Sequence, residues 1–236
     1  MEINRSLSLS PRKEFTRNAK EVEPPIQFSL LEINKHFTEN LRSIEKQFAV
    51  AETLFDNGEV DGSKTVLRSI AVFAEGLLDF YIHEVSKYCL FRMFTGQWSK
   101  SEKYMTFMVP MEKVEKAIES VESKNWFFSC LNERFSREVY LSKESMRDQL
   151  NLIGVGFKDV MIKAFPRNSE NESIKEGSNI ITELFKRRNE IVHQNDMSHL
   201  SAVQNDITED YVKQYITWVN LIVDAIQNVV ENKNMI

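Results

Sequence analysis

One stretch of the sequence, RRNEIVHQND from Arg187 to Asp196, combines residue types that suit phosphodiester chemistry. A neutral imidazole such as that of His193 can accept the proton of a ribose 2′-hydroxyl, and the protonated ring can donate one to a leaving oxygen. The guanidinium of Arg188 can hold a phosphate in a fork and stabilise the charge that develops on it. Because RNA carries its own nucleophile, the pair needs no serine or cysteine. The segment therefore suits RNA cleavage without a metal ion.

The spacing of these residues predicts one helix with two neighbouring polar faces. Arg188 follows Leu184 by one turn and falls on the apolar stripe, whereas Asn189 and His193 are four residues apart and share the adjacent face. An ideal helix with about 100° per residue separates Arg188 and His193 by about 140°. The length of the arginine, or a helix end favoured by Asn195-Asp196, would have to close that gap. An alternative interpretation is that both basic residues only cap the helix C-terminus, where positive charge is favourable.

A single motif helix supplies one histidine, whereas cleavage by acid–base catalysis benefits from two. A two-fold homodimer that brings two such helices together would supply the second. We therefore expect a composite site, with both chains contributing to one cleft.

A second polar group of residues lies on the long apolar helix that precedes the motif. Glu75, Asp79 and His83 recur every four residues and form one polar ridge. Carboxylates and an imidazole at this spacing can ligate a metal. The interpretation we favour is a pairing between helices, because the cations Arg187 and Arg188 need anionic partners in a bundle. We therefore predict neither a metal ion nor a cofactor.

The composition is that of a folded helical protein: of 236 residues, 42% are apolar and 28% charged, with only seven glycines and five prolines. So few turn-forming residues suit helices joined by short loops rather than a sandwich or barrel. The net charge of −5 argues against non-specific coating of nucleic acid, although it permits a local basic cleft. No apolar run has the roughly 20 residues that span a bilayer, and the first residues lack the apolar core of a secretion signal. We expect a cytoplasmic protein with no membrane association.

Hydrophobic periodicity predicts an all-α bundle built on a long antiparallel hairpin. The first helix runs from about Leu30 to Phe55 and stops at Asp56-Asn57-Gly58. The second helix, about Lys64 to Phe91, follows an N-cap at Asp61-Gly62-Ser63. It is apolar nearly all round, which predicts a central position in the bundle.

The chain divides into an arm and one domain. Residues 1–27 show no periodicity and are expected to be a flexible or peripheral N-terminal arm, whereas residues 28–236 form the helical domain. After the hairpin, the domain comprises shorter helices and loops over 92–173, with a polar loop at 166–173, and two C-terminal helices at about 174–192 and 208–231.

Three stretches of the sequence resemble the RiboL-PSP-type group of HEPN domains. The C-terminal half of that domain is similar to LFKRRNEIVHQND followed by ITEDYVKQYITWVNLIVDAIQNVV. Its long core helix resembles VLRSIAVFAEGLLDFYIHEV, in which an acidic residue precedes an aromatic one. The region between them looks like residues 126–165, which contain ESMRDQLNLIGVGF. The resemblance covers most of residues 30–230 and leaves the arm outside.

The resemblance implies a helical bundle with an Arg-polar-xxx-His motif. Arg188 would be the motif arginine, Asn189 the polar second residue and His193 the histidine. Many HEPN proteins are dimeric ribonucleases of toxin–antitoxin, abortive-infection and CRISPR-linked defence systems, whereas others are inactive scaffolds. Four further charged residues are expected to support the motif: Arg187, Asp196, Glu75 and Asp79. Of these, Glu75 or Asp79 would orient Arg188 and tune His193.

The expected function is thus a metal-independent endoribonuclease, a toxin or defence effector that cleaves RNA by 2′-hydroxyl attack at a cleft between two copies of the chain. The expected partners are RNA, a second copy, and an antitoxin or other defence-system protein. The alternative is a non-catalytic HEPN scaffold that binds a partner protein or a nucleotide. Two His193 side chains that face one another across a solvent-open cleft favour the enzyme, whereas burial of each His193 against its own Glu75 or Asp79 favours the scaffold.

Overall fold

The computed structural model describes residues 26–119 and 125–234. The α-helices of these residues are α1 (Leu30–Glu45), α2 (Gln47–Asp56), α3 (Val60–Phe94), α4 (Met111–Glu119), α5 (Asn125–Phe135), α6 (Lys143–Leu152), α7 (Phe157–Ala164), α8 (Glu170–Gln194) and α9 (Glu209–Asn234). A 3₁₀ turn at Tyr104–Thr106 lies between α3 and α4. The predicted all-α class is confirmed. The arm predicted over 1–27 lies outside the described residues up to position 25.

α1 begins with a capping box and packs along α3. The Ser29 hydroxyl accepts the Glu32 N–H at 3.3 Å, and the Ser29 N–H donates to the Glu32 carboxylate at 2.8 Å. On the buried face, the Phe37 ring meets the Tyr81 ring of α3 edge to face, 5.6 Å between centroids. Lys46 separates α1 from α2 but keeps helical dihedrals, φ −60° and ψ −20°. The single helix predicted over 30–55 is therefore nearly continuous.

α3 begins earlier than the sequence predicted. The segment Asp61-Gly62-Ser63, expected as an N-cap, lies in its first turn, and the Ser63 N–H already donates to the Glu59 carbonyl at 3.0 Å. Gly58 has φ +83°, so it turns the chain without the strain that a side chain would bring. The turn between α2 and α3 is therefore complete before Val60, where α3 begins. The helix runs for 35 residues and forms the predicted antiparallel hairpin with α1 and α2.

The connection into α8 is shorter than predicted. The polar loop assigned to 166–173 is wrong from residue 170 onward, because α8 starts at Glu170. The Ser169 hydroxyl accepts the Glu172 N–H at 3.3 Å and caps the helix. Polarity marked this segment as a loop, whereas its serine and glutamates are N-terminal helix signals.

α8 packs against α7 and α3, and the Tyr215 hydroxyl of α9 donates to its Leu184 carbonyl. Its Gly177 allows α7 to approach closely, since a Cβ added there would lie 2.5 Å from the Met161 sulfur. From α9, Tyr215, Val219 and Ile222 are completely buried. This packing fixes the helix that carries the RRNEIVH motif. No helix in the described residues is long and apolar enough to cross a membrane.

Candidate active site on α8

Arg188 lies at the edge of an open groove between α1, α3 and α8. The guanidinium Nη1 donates to the Asn189 side-chain oxygen at 3.1 Å. Among the residues that the structure describes, no carboxylate lies within ion-pair distance of this guanidinium. The groove has a volume of about 480 Å³ and its other walls are mainly apolar, with Ile44, Val72, Phe73, Leu77 and Phe80. Arg188 therefore brings an unneutralised cation to an apolar groove.

The groove leaves a strip of α3 uncovered. Phe73 is 61% exposed and Phe80, seven residues later on the same face, is 40% exposed. The sequence predicted a central position for α3 because apolar residues cover most of its surface. Beyond its exposed first turns, α3 is covered by the described helices except along this strip, so two large aromatic side chains face solvent beside Arg188.

His193 is exposed near the C-terminal end of α8. Within 26–119 and 125–234, its ring has no hydrogen-bond or ion-pair partner, and neither Glu75 nor Asp79 contacts it. α8 continues through Gln194, and only Asn195 leaves the helix, with φ +50°. A helix end does not, therefore, bring His193 round to Arg188. The two stay on different faces of one helix, about 140° apart.

A buried carboxylate anchors the chain just after the motif. Asp196 is completely buried and accepts hydrogen bonds from Arg68 Nε at 2.6 Å, from both terminal nitrogens of Arg187, and from the Asn205 amide at 3.1 Å. Two guanidinium groups offset the cost of burying this charge, and the hydrogen bonds satisfy its lone pairs. The cluster ties the end of α8 and the following loop to α3.

The backbone at this anchor adopts an uncommon conformation. Asn195 and Asp196 both lie in the left-handed region, with φ +50° and +58°. The Asp196 N–H donates back to the Glu190 carbonyl at 2.8 Å and so ends α8. Arg187 is thus engaged by Asp196 and also donates to the Asp206 carbonyl at 3.1 Å. Arg187 and Asp196 support the motif, but they do so by fixing the helix end.

A second buried carboxylate lies behind Arg188. Glu75 is 1% exposed, and its carboxyl lies 2.7 Å from the Tyr215 hydroxyl, which also lies 3.1 Å from the Leu184 carbonyl. Burial raises the pKa of Glu75 to about 7, against the opposing effects of the Tyr215 hydrogen bond and the positive charge of Arg188. A protonated Glu75 can donate to the Tyr215 oxygen and leave the phenol proton for Leu184. Glu75 therefore lies within the field of Arg188 without forming an ion pair with it.

Asp79 is directed away from the motif. Its carboxylate accepts the Tyr140 N–H at 2.7 Å and lies 3.6 Å from His83 Nε2. The expected pairing of Asp79 with Arg187 or Arg188 is absent, because Asp79 faces the segment after α5. Over the described ranges, no three histidine, cysteine, aspartate or glutamate side chains are grouped so as to hold a metal ion.

A family model described as RiboL-PSP-HEPN matches residues 26–232. The chain belongs to the RiboL-PSP-HEPN family. Searches of curated proteins and of solved structures gave no match. The match covers the hairpin, the intervening helices, the motif helix and almost all of α9, so it includes every residue of the candidate site.

Sequence reasoning missed two residues that organise the site of this RiboL-PSP-HEPN domain. Arg68 interrupts the apolar run VLRSIAV, and a lone charge on a buried helix face was an available signal that it needs a partner. Tyr215 gave no comparable signal. Its partner Glu75 lies 140 positions earlier, so only the tertiary structure brings the two together.

Proposed function

We propose that this HEPN chain is a metal-independent endoribonuclease that acts as a two-fold homodimer. The observation that carries the proposal is Arg188, whose guanidinium lines an open groove and has no acidic partner among the described residues. An uncompensated cation beside an apolar wall suits a phosphate that arrives with its substrate. The exposed His193 on the same helix supplies an imidazole that can accept or donate a proton.

The cleavage step needs only groups from the motif and the RNA. A neutral His193 takes the proton of the 2′-hydroxyl, and the 2′-oxygen forms a bond to phosphorus as the bond to the 5′-oxygen breaks. A second, protonated His193 gives its proton to the departing 5′-oxygen. Arg188 stabilises the extra negative charge on the phosphorane oxygens. The products are a 2′,3′-cyclic phosphate and a 5′-hydroxyl end.

The separation of the two motif residues supports the proposed dimer. Arg188 and His193 point about 140° apart on one helix, so a single chain does not direct both side chains at the same phosphate. A second chain supplies the missing group from its own motif. Val192, 44% exposed, lies one turn from Arg188, and Phe73 and Phe80 border the groove. Burying this surface against a second copy would bring two α8 helices together around a two-fold axis.

Glu75, and not Asp79, is the proposed positioning acid. The negative charge of the ionised Glu75 carboxylate attracts the Arg188 guanidinium toward it. The Tyr215 hydroxyl fixes this carboxyl between α3, α8 and α9. Asn189 completes the arrangement by accepting a hydrogen bond from Arg188.

The first prediction concerns the motif itself. We expect purified protein to cleave tRNA or total RNA in the presence of EDTA and to leave cyclic phosphate ends. His193→Ala and Arg188→Ala should each reduce cleavage by at least about 10²-fold, because each removes a group that acts on the reacting phosphate. Melting temperatures should stay close to that of the wild type, since neither side chain is buried in the core.

Matched controls are available on the same surface. Exposed His199 lies in the loop after the motif, and exposed Lys186 immediately precedes it on α8. His199→Ala and Lys186→Ala should retain cleavage. Full activity in both His193→Ala and Arg188→Ala would contradict the ribonuclease proposal.

The biological role we propose is that of a toxin or effector in a defence or toxin–antitoxin locus, held in check by an antitoxin or another protein of that system. Expression of the wild-type chain should then inhibit growth, and expression of His193→Ala should not.

A second candidate function is a non-catalytic scaffold. The observation that favours it is the apolar lining of the groove, which suits a partner protein as well as a second copy. This candidate predicts a purified dimer without ribonuclease activity, and a partner whose binding covers Phe73 and Phe80.

A further inference from the structure

A basic groove lies between α6, the start of α7 and α8. Its volume is about 470 Å³, and Lys143 and Arg147 from α6 and Lys158 from α7 line it. The lining includes one acid, Asp159, so the cations outnumber the acids three to one. The basic groove shares no residue with the Arg188 groove. A local excess of positive charge is therefore present on a chain whose net charge is −5.

The acids that pair with these cations do so weakly. The Lys143 ammonium lies 3.4 Å from the carboxylate of Glu144, which follows it in sequence. The Arg147 guanidinium likewise lies 3.7 Å from the carboxylate of Asp148. Both acidic side chains are more than half exposed, so water screens these contacts. Over residues 26–119 and 125–234, Lys158 has no carboxylate within ion-pair distance.

Two of the cations occupy positions that do not favour the fold. Lys143 is the first residue of α6, where positive charge opposes the helix dipole. Arg147 follows it by one turn, a spacing at which like charges repel. An anion between them would remove this repulsion, so the arrangement suits anion binding better than it suits stability.

The basic groove opens on the side of α8 that carries the motif histidine. Ser178 belongs to its α8 wall. At about 100° per residue, Asn189 lies within about 20° of Ser178 around the helix axis, and His193 within about 60°. The acids of α8 beyond its first turn lie about 120–160° away from Ser178: Glu176, Glu183 and Glu190. A strip of α8 without acidic side chains therefore joins the basic groove to the motif.

The distance along this strip suits a short run of nucleotides. At a rise of about 1.5 Å per residue, Asn189 lies about 16 Å and His193 about 22 Å along the helix from Ser178. Stacked nucleotides advance a strand by about 3.4 Å each, and extended ones by up to about twice that. The basic groove is therefore roughly three to six nucleotides from a phosphate at the motif. A dinucleotide that occupies the motif does not reach it.

We propose that the basic groove binds backbone phosphates of single-stranded RNA, several nucleotides from the bond that the motif cleaves. The proposal rests on the ribonuclease function and assigns the substrate a path along α8. Cations along a groove hold the phosphates of a flexible strand without reading its sequence. The strand is RNA because cleavage at the motif needs a 2′-hydroxyl. The basic groove thus raises affinity for substrates that are long enough to reach it, whereas the chemistry stays at the motif.

Two triple variants test this assignment. The groove variant combines Lys143→Gln, Arg147→Gln and Lys158→Gln. Both triple variants should keep the melting temperature of the parent protein within a few degrees, because the substituted side chains reach solvent. The control variant removes the same charge at exposed positions outside the basic groove: Lys35→Gln, Arg137→Gln and Lys213→Gln.

Binding of a ten-nucleotide single-stranded RNA is measured by fluorescence anisotropy on full-length protein carrying His193→Ala, so that the RNA stays intact. The groove variant should bind at least about tenfold more weakly than this parent, and the control variant less than about twofold. The slope of log K against log salt should fall by about 2, since each lost phosphate contact on a single strand accounts for about 0.7. Inorganic phosphate should compete only at concentrations far above that of the RNA. Unchanged RNA binding by the groove variant, or phosphate binding as tight as that of RNA, overturns the proposal.

Cleavage by protein with an intact motif separates the basic groove from the active site. With a ten-nucleotide substrate, the groove variant should lose at least about tenfold in kcat/KM. With a dinucleotide substrate it should keep the kcat/KM of the wild type, because that substrate does not reach the basic groove. Equal losses on both substrates would place the effect at the motif or the fold and overturn the proposal. If the wild type cleaves neither substrate, the ribonuclease function fails, and the anisotropy measurement still decides whether RNA occupies the basic groove.

Discussion

At the scale of single residues, Glu75 shows how burial alters an acid next to the RRNEIVH motif. The side chain is 1% exposed, and the nearest hydrogen-bonding group is the Tyr215 hydroxyl. Because burial disfavours the carboxylate, the neutral acid is the form that fits this environment at moderately low pH. The state of Glu75 then decides whether Arg188 feels a negative charge behind it.

The stability of the fold should depend on pH through Glu75. Its pKa is about 7 in the folded chain and 4.5 as an ordinary glutamate, so protonation favours folding. The contribution is complete below about pH 4.5 and is lost as the pH rises through about 7. The free energy of unfolding should fall between about pH 5 and pH 8 in the wild type. That decrease should be roughly 1–3 kcal/mol larger than the decrease in Glu75→Gln, which has no carboxyl to ionise at this position.

Urea unfolding at several pH values measures this difference. Glu133→Gln is a suitable control, because that carboxylate is exposed and its pKa is lowered by a hydrogen bond with Lys113, in the opposite direction. Parallel pH profiles for the wild type and Glu75→Gln would contradict the assignment.

The sequence predicted residues whose roles follow from local spacing. Arg188, Asn189 and His193 are neighbours on a helix, so their faces could be derived from helical periodicity. The pairings of Arg68 and Glu75 were not predictable, because they depend on the mutual rotation of α3, α8 and α9. Asp79 illustrates the limit, since it shares a ridge with Glu75 but faces a different neighbour.

At the scale of elements, the junction between α8 and α9 is fixed by one anion. Asp196 binds Arg68 from α3 and Arg187 from α8, and its backbone closes the helix. The Asn205 side chain and backbone N–H also bond to Asp196, so the loop returns to the same point. The direction in which α8 presents His193 therefore depends on Asp196, which lies three residues after the motif histidine.

Asp196→Asn should destabilise the protein by about 3–5 kcal/mol, because it leaves the buried guanidinium of Arg68 without a counter-charge and leaves Arg187 with only Glu190, at 3.7 Å. RNA cleavage should fall as well, since the end of α8 loses its anchor. Denaturant unfolding measures the first effect and an RNA digestion assay the second. Asp206→Asn is the matched control in the same loop: its carboxylate is 70% exposed and pairs with Lys64, so the expected loss is at most about 1 kcal/mol. Equal losses in the two variants would argue against the anchor.

Helices were predictable as elements, but several of their ends were not. Apolar periodicity located α3 and α9 because both bury long stripes. The start of α3 at Val60 and that of α8 at Glu170 depended on a left-handed glycine and on a serine cap, which composition alone assigned to loops. Short-range backbone geometry therefore decided where these helices begin.

At the scale of the whole molecule, the uncovered strip of α3 has the character of an interface. Phe73 and Phe80 lie beside Arg188, and aromatic side chains with arginine are enriched where proteins associate. The sequence predicted a central helix and a dimer but not this surface, because exposure depends on which faces the other helices leave open.

Phe73→Asp should convert a dimer to a monomer and abolish RNA cleavage together, because the composite cleft requires both chains. Analytical ultracentrifugation and RNA digestion measure the two effects. Phe55→Asp is a close control, since Phe55 is 60% exposed and Phe73 61%, but Phe55 lies on α2 and does not line the groove. A Phe73→Asp monomer that still cleaves RNA would rule out the shared cleft.

The buried anchor at Asp196 has a consequence for how related sequences are compared. Within RRNEIVHQND, Arg187 and Asp196 serve the architecture of a helix end, whereas Arg188 and His193 are available for chemistry. Selection for folding therefore acts on Arg187 and Asp196, whereas selection for the proposed cleavage acts on Arg188 and His193. A descendant that abandons catalysis is free to replace the histidine while it keeps the arginine and the aspartate that close the helix. Arg187 and Asp196 can then remain in a chain that has no activity. Only the residues at positions 188 and 193 indicate whether the proposed activity is retained.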